Sequence, residues 1–272
     1  MNILWHTPWH VPQLPNKRLI KQVLACLLCC AALALGAPKT YGQGEESFDD
    51  FYEELYDAPA QAVINDPLEQ MNRAFFTFNR AVDQVLLTPL ARAYEYAVPD
   101  VGRDVIRNLL QHLSLPFIMI NNILQADAEG FENSFSRLLF NSLAGLGGIL
   151  DPAATIGHSY EEADFAQTLG VWGVGEGWYL MLPLLGPKTG RGVLAIIPQY
   201  YGDPVDYLVG SDYQAGFTAI RSGTDLIDAR SRNYRDIADL EKDAVDVYAL
   251  ARSYYFQLRR AMIAKVQERN EY

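Results

Sequence analysis

The sequence predicts an all-α protein, built as one domain behind an export leader. Three observations carry that prediction. Beyond residue 66, apolar residues recur at three- and four-residue spacing, and period-two alternation is nearly absent. Asp, Pro and Gly punctuate the ends of these stretches, as helix caps and stops do. Half of the 272 residues are hydrophobic and 20% are charged, which supplies a large core and excludes a disordered or collagen-like chain.

The leader comes first. Lys17, Arg18 and Lys21 precede an uncharged, mostly apolar run from Val23 to Ala37. Residues 1–42 therefore read as a secretory signal peptide, too short in its apolar part for an ordinary membrane-spanning helix. Ala34-Leu35-Gly36 offers a small-x-small cleavage site, and a cut near Gly42 is the other choice. An uncleaved anchor is the alternative. Val23-Leu24-Ala25-Cys26 is a loose match to a lipidation signal at Cys26, poorly supported because little apolar chain lies upstream. All three cysteines (Cys26, Cys29, Cys30) fall in this leader, so the rest of the chain has no disulfide framework and no thiol nucleophile.

Residues 43–65 form an acidic linker. Glu45, Glu46, Asp49, Asp50, Glu53, Glu54 and Asp57 alternate with Phe48, Phe51, Tyr52, Leu55 and Tyr56, and no base appears. Such a stretch is a flexible tether, or a segment that orders only against a partner. The formal charge of the whole chain is −11, and four of its basic residues lie in the leader, so the acidic excess sits in the remainder. Electrostatic nucleic-acid binding is excluded on that ground.

The helical domain is expected over residues 66–268, with 269–272 as a tail. Asp66-Pro67-Leu68-Glu69 has a capping Asp, a Pro suited to the first helical position and a Glu three residues after the cap. The first helix carries Phe75, Phe78, Val82, Val85 and Leu86, and Thr88-Pro89 is expected to interrupt it and restart a shorter helix. Pro99-Asp100 opens a second helix with Val101, Val105, Ile106, Leu109 and Leu113 on one face. Ser114-Leu115-Pro116 is expected to begin another. Asp127 caps a helix running to about Leu143, which stops at Gly145, Gly147 and Gly148. The stretch from Asp164 to Pro187 is apolar but broken by Gly170, Gly173, Gly175, Gly177 and Gly186, and does not read as helix. Two helices are expected to follow, Ser211 to Arg230 and Arg235 to about Gln267.

Catalytic chemistry is missing. Beyond the leader only His112 and His158 occur, and there is no H-E-x-x-H, no G-x-S-x-G elbow and no phosphate loop of the G-x-x-x-x-G-K-[ST] type. Gly173-Val174-Gly175-Glu176-Gly177 does not follow a Rossmann strand, and Glu161, Glu162 and Asp164 suit a solvated turn. No enzyme, cofactor or metal is expected. Broad-faced apolar helices joined at Pro and Gly fit a bilayer interface, an apolar cavity or a large soluble core.

Several segments resemble the MlaA/VacJ family. They are DPLEQMNR from Asp66 with Phe76-Thr77-Phe78-Asn79, RLLFNSLAGLGGILD from Arg137 to Asp151, and DFAQTLG from Asp164. Trp172-Gly173-Val174-Gly175 follows, then Tyr179, then Leu182 to Pro187, and last Asp246, Tyr248, Arg252, Tyr255 and Arg259. The resemblance implies a ring-like, membrane-embedded helical protein on the periplasmic side of the outer membrane, beside trimeric porins. It implies an amphipathic central channel through which mislocalised phospholipid leaves the outer leaflet for a soluble periplasmic lipid carrier, without catalysis.

Under that resemblance, Phe75, Phe78, Asn79, Val82, Leu143, Leu146 and Leu150 are channel or gate candidates, with helix packing as their other role. Trp172, Trp178 and Tyr179 suit a membrane interface, or else a core. Two departures stand out: Ala166 occupies a frequent glycine position, and Arg191-Gly192-Val193 lacks a following Asp, with a local salt bridge expected to be lost. The alternative function is an exported helical scaffold or virulence-associated interaction protein. A lipid hydrolase has no nucleophile–base pair to support it.

Overall fold

A computed structural model describes residues 64–271 other than 210. The expected leader, Cys26 and nearly all of the acidic linker lie outside the described residues.

Helix α1 (Glu69–Val82) starts with an acid in its first turn and has Arg80 in its last, both favourable to the helix dipole. Asp66 is not its cap. The N-cap position is Leu68, with no side-chain cap bond, and Asp66 is spent on Asn72, Tyr248 and Arg252 instead. Thr88-Pro89 does restart a shorter helix as expected, but with no gap in the path. A π-helical turn, Asp83–Leu87, leads directly into α2 (Thr88–Ala97), with the Thr88 amide bonded to the Asp83 carbonyl. The wider turn brings Pro89 into the first turn of α2, where its missing N–H costs least.

Helix α3 (Asp100–Leu124) also runs through its expected break, with Pro116 inside it. Pro116 removes one ladder bond. The carbonyl that loses its donor is that of His112, and the turns on either side are braced by extra bonds: Ser114 Oγ donates to the Leu110 carbonyl at 2.8 Å and Arg221 donates to the Leu113 carbonyl at 2.9 Å. Burial of Leu115, Phe117 and Ile118 holds the rest. A three-residue connection leads to α4 (Ala128–Leu143), capped as expected by Asp127, which accepts from the Gly130 amide at 2.8 Å.

Short helices α5 (Pro152–Thr155) and α6 (Phe165–Val171) are capped by Asp151 and Asp164. The glycine-broken stretch then forms an antiparallel hairpin, β1 (Tyr179–Leu182) with β2 (Gly186–Thr189), Tyr179 opposite Thr189 and Leu182 opposite Gly186. Thr189 caps α7 (Gly190–Tyr201) through the Gly192 amide at 3.1 Å. A 3-10 turn, Pro204–Tyr207, precedes α8 (Ser211–Asp243) and α9 (Val247–Glu271). The break between the last two falls at residues 244–246 and not near 230–235. Arg232 and Arg235 hold the middle of α8 against Asp104 and Glu95, while Asp246 accepts the Tyr248 and Ala249 amides at the start of α9.

The packing partners close a circuit. α1 leads into α2, which packs on α8; α8 packs on α3, α3 on α6, α6 on α7, and α7 on β2; β1 returns to α1. The fold is therefore all-α and ring-like, with a single hairpin among the described residues. One apolar cluster, Tyr179, Met181, Tyr248, Tyr255 and Phe256, ties the hairpin to α9, with Phe75 and Phe76 of α1 against it. A second, Leu115, Ile118, Tyr160 and Ala163, sits beneath α3.

Candidate functional site

In α4 the usual sidedness is reversed. Gly130, Ser134, Arg137 and Asn141 recur at helical spacing and are the buried stripe. Phe135, Leu139, Phe140 and Leu143 are exposed. A water-soluble helix would do the opposite. Full burial of such a side chain is worth about 1.5–3 kcal/mol, and these are roughly half exposed, so the face left in water would forfeit several kcal/mol, a sizeable part of a domain's stability of about 5–15 kcal/mol.

The pattern extends beyond α4. α3 shares it in part: it buries Gln111, Ser114, Asn121 and Asn122 beside Leu115, Phe117 and Ile118, and exposes Ile120, Ile123 and Leu124. On α7, Leu194, Ile197 and Tyr201 are exposed, and Leu208, Tyr213 and Ile220 follow. Among the described residues no helix is long and apolar enough to cross a membrane, so this surface suits helices lying in a bilayer rather than spanning it. Trp172 and Trp178 are both exposed. The Trp172 indole N–H is satisfied by the Leu124 carbonyl at 2.7 Å, and its ring, edge-on to Phe165, suits an interface.

The polar interior is stitched rather than merely hidden, and the family-like motifs do the stitching. Asn72 donates to Asp66 at 2.7 Å and to the Tyr179 carbonyl at 3.0 Å, and accepts from the Met181 amide at 2.9 Å. Arg252 reaches Asp66 at 2.7 Å. Burial works to raise the Asp66 carboxyl, but hydrogen bonds from Tyr248, Arg252 and Asn72 hold it below the usual range. Arg137, buried, pairs with Asp151 at 2.6 Å, and Asn141 bonds the same carboxylate at 2.9 Å. These two close the glycine loop after α4. Asp164 is likewise held low by Arg259 and the Gln167 amide in spite of burial. Thr168 donates to Asn121 at 2.9 Å, fixing α6 to α3.

Within this interior lies a cationic pair that sequence patterns missed. Lys188 and Arg191 are each more than nine-tenths buried, and among the described residues neither has a carboxylate within ion-pair distance. Burial pushes the Lys188 ammonium down to about 7, partly offset by Asp164. Burial and neighbouring Arg259 also lower Arg191. Arg191 donates to the Val174 carbonyl at 2.8 Å, and its Nε is unsatisfied. Gly170 is tight against it: a Cβ there would lie 3.0 Å from the guanidinium and 2.4 Å from Ile263. Buried basic groups without a carboxylate partner are receptive to an anion. Ala166 sits in ordinary helix α6, so no glycine is required there.

The predicted candidates divide. Phe78, Leu143, Leu146 and Leu150 are exposed, while Phe75 and Val82 are half-buried, Phe75 against the aromatic cluster. Asn79 is engaged with the hairpin turn: it donates to the Leu182 carbonyl at 2.8 Å and accepts from the Leu184 amide at 2.7 Å. Tyr179 is not at an interface. It is fully buried between Tyr248 and Phe256, its centroid 6.1 and 5.8 Å from theirs, because β1 points it inward. No group of three metal-ligating side chains occurs among the described residues.

A ring of helices with apolar exterior and polar, cation-bearing interior defines a class of protein suited to a lipid phase. The MlaA lipoprotein family matches residues 64–262, and the chain belongs to that family. An uncharacterized protein of Rickettsia bellii is 30% identical over 201 residues, 74% of this chain and 77% of that protein. The intermembrane phospholipid transport system lipoprotein MlaA of Haemophilus influenzae is 29% identical over 197 residues, 71% of this chain and 77% of its own length. A solved structure, described as the structural basis for maintenance of bacterial outer membrane lipid asymmetry, superposes with a TM-score of 0.64 at 31% identity. It covers 73% of this chain and 99% of its own.

Proposed function

We propose that this chain transports phospholipid between bacterial membranes without catalysis, removing mislocalised phospholipid from the outer leaflet of the outer membrane. The observation that carries the proposal is the reversed sidedness of α4, apolar face outward and Ser134, Arg137 and Asn141 inward. Apolar helix faces rest in lipid, and the polar interior gives a zwitterionic or anionic head group a path that acyl chains alone cannot. Lys188 and Arg191 receive the head-group phosphate, an interaction a buried cation lacking a partner favours strongly. Phe78, Leu143, Leu146 and Leu150 bound the acyl path, and Trp172 and Trp178 sit at the interface. The names of the relatives support the substrate class and the membrane. A trimeric porin beside the ring and a soluble periplasmic carrier as acceptor complete the route.

Phospholipid displayed on the surface of cells lacking the gene tests this directly. It rises in the deletion strain and returns to the parental level with the intact gene. An unchanged surface, with unchanged detergent resistance, overturns the role and turns attention to an interaction scaffold.

A further inference from the structure

His112 lies under the glycine loop that joins α4 to α5. Gly148 has φ +92° and rests directly on the imidazole: a Cβ there would fall 2.5 Å from the ring. The ring's Nε2 is 3.3 Å from Ser142 Oγ, and its Nδ1 is buried with no partner. The loop above is held by short-range bonds, Gly148 N to the Asn141 carbonyl at 2.9 Å and Leu150 N to the Gly145 carbonyl at 2.9 Å. Asn108 of α3 reaches the Ile149 carbonyl at 3.2 Å. Its outer side carries Leu146 and Leu150, both exposed.

We propose that His112 and residues 144–150 form a proton-operated latch, in which a neutral imidazole seats the loop and an imidazolium lifts it. The latch's effect on lipid passage rests on the transport reading above; the latch itself is a property of the fold. An imidazolium would need a second acceptor for its Nδ1–H, and the seated loop provides none. Among the described residues the charge acting on the ring is Arg137 of α4, whose own partner is Asp151 at the end of the loop. Burial first, and Arg137 second, lower His112 below its ordinary 6.5. The seated state therefore binds the proton more weakly than the lifted one. Seating is favoured above about pH 6.5 and is lost as pH falls below it, by about tenfold per unit until the seated state also takes up the proton.

Hydrogen exchange of the full chain in lipid nanodiscs, corrected for the intrinsic pH dependence of exchange, tests the latch. Protection of residues 144–150 should fall about tenfold per pH unit below 6.5, while residues 255–263 of α9 stay unchanged. His112→Asn should abolish this pH dependence and keep α9 protected. Gly148→Ala should leave the loop open at every pH. Equal pH courses for wild type and His112→Asn overturn the latch, as does a protected loop in Gly148→Ala. The same nanodiscs, carrying labelled phospholipid and mixed with acceptor vesicles, separate the two claims. Faster release at pH 5.5 than at 7.5, absent in His112→Asn, places the latch on the lipid path. A loop that opens with no change in a measurable release rate overturns that placement, and no release at any pH overturns the transport reading.

Discussion

Asp66 shows how one side chain can serve four segments. Its carboxylate receives Asn72, Tyr248 and Arg252, joining the segment before α1 to α9 and, through Asn72, to the hairpin. Asp66→Ala leaves a largely buried guanidinium with only the more distant, half-exposed Glu69 carboxylate at 3.8 Å, so we expect a loss of about 3 kcal/mol, read by thermal unfolding in detergent. A loss below about 0.5 kcal/mol, the range of ordinary surface changes, would refute that role. Asp66, Asp151 and Asp164 all titrate below their ordinary range. Their stabilisation is thus complete above the unfolded value of 3.8 and is lost as pH falls below it. Lys188 works in the opposite sense. With its ammonium lowered from 10.5 to about 7, the unfolded chain binds the extra proton between those values, and stability rises with pH across that window. Lys188→Met should flatten that slope and raise the melting temperature at pH 7, while weakening phospholipid capture. A steeper slope in the variant would contradict this. The residue pattern announced Asp66 only as a cap and Asp164 only as part of a solvated turn. Their ion pairs span 186 and 95 positions of sequence, a separation no local pattern encodes.

At the scale of elements, periodicity located the helices well and their ends poorly. Asp127 and the stop after Leu143 were legible because capping is local. Thr88-Pro89 marked the start of a shorter helix, though a π-turn joins it to the one before, whereas Pro116 was misleading, since burial of Leu115, Phe117 and Ile118 carries α3 through it. The hairpin escaped notice because its strands have four residues each and no polar alternation. Its turn is clamped from α1. Asn79→Ala removes two bonds to Leu182 and Leu184, worth about 0.5–1.5 kcal/mol each. We expect faster hydrogen exchange at residues 182–185 with α4 unaffected. Unchanged exchange there would show the turn to be held by its own backbone. Phe78, one position before, is free of such duties and remains the better channel candidate.

For the whole molecule, periodicity marks apolar helices without saying which side faces out. Only the fold shows that Ser134, Arg137 and Asn141 look inward, and so distinguishes a large soluble core from a lipid-facing ring. Four tryptophans occur in the chain, Trp5 and Trp9 in the expected leader, Trp172 and Trp178 on the exposed surface. In protein cut after the leader, brominated acyl chains should quench most of the emission, and aqueous quenchers little of it. The reverse pattern would place that face in water. The central claim is that phospholipid passes through the polar interior rather than merely coating the exterior. Photolabelling the wild-type chain in native membranes with a head-group-diazirine phospholipid, and mapping the adducts, tests it most directly. The account predicts adducts around Lys188 and Arg191. Adducts confined to the outer faces, at Leu194, Ile197 and Ile220, would contradict it.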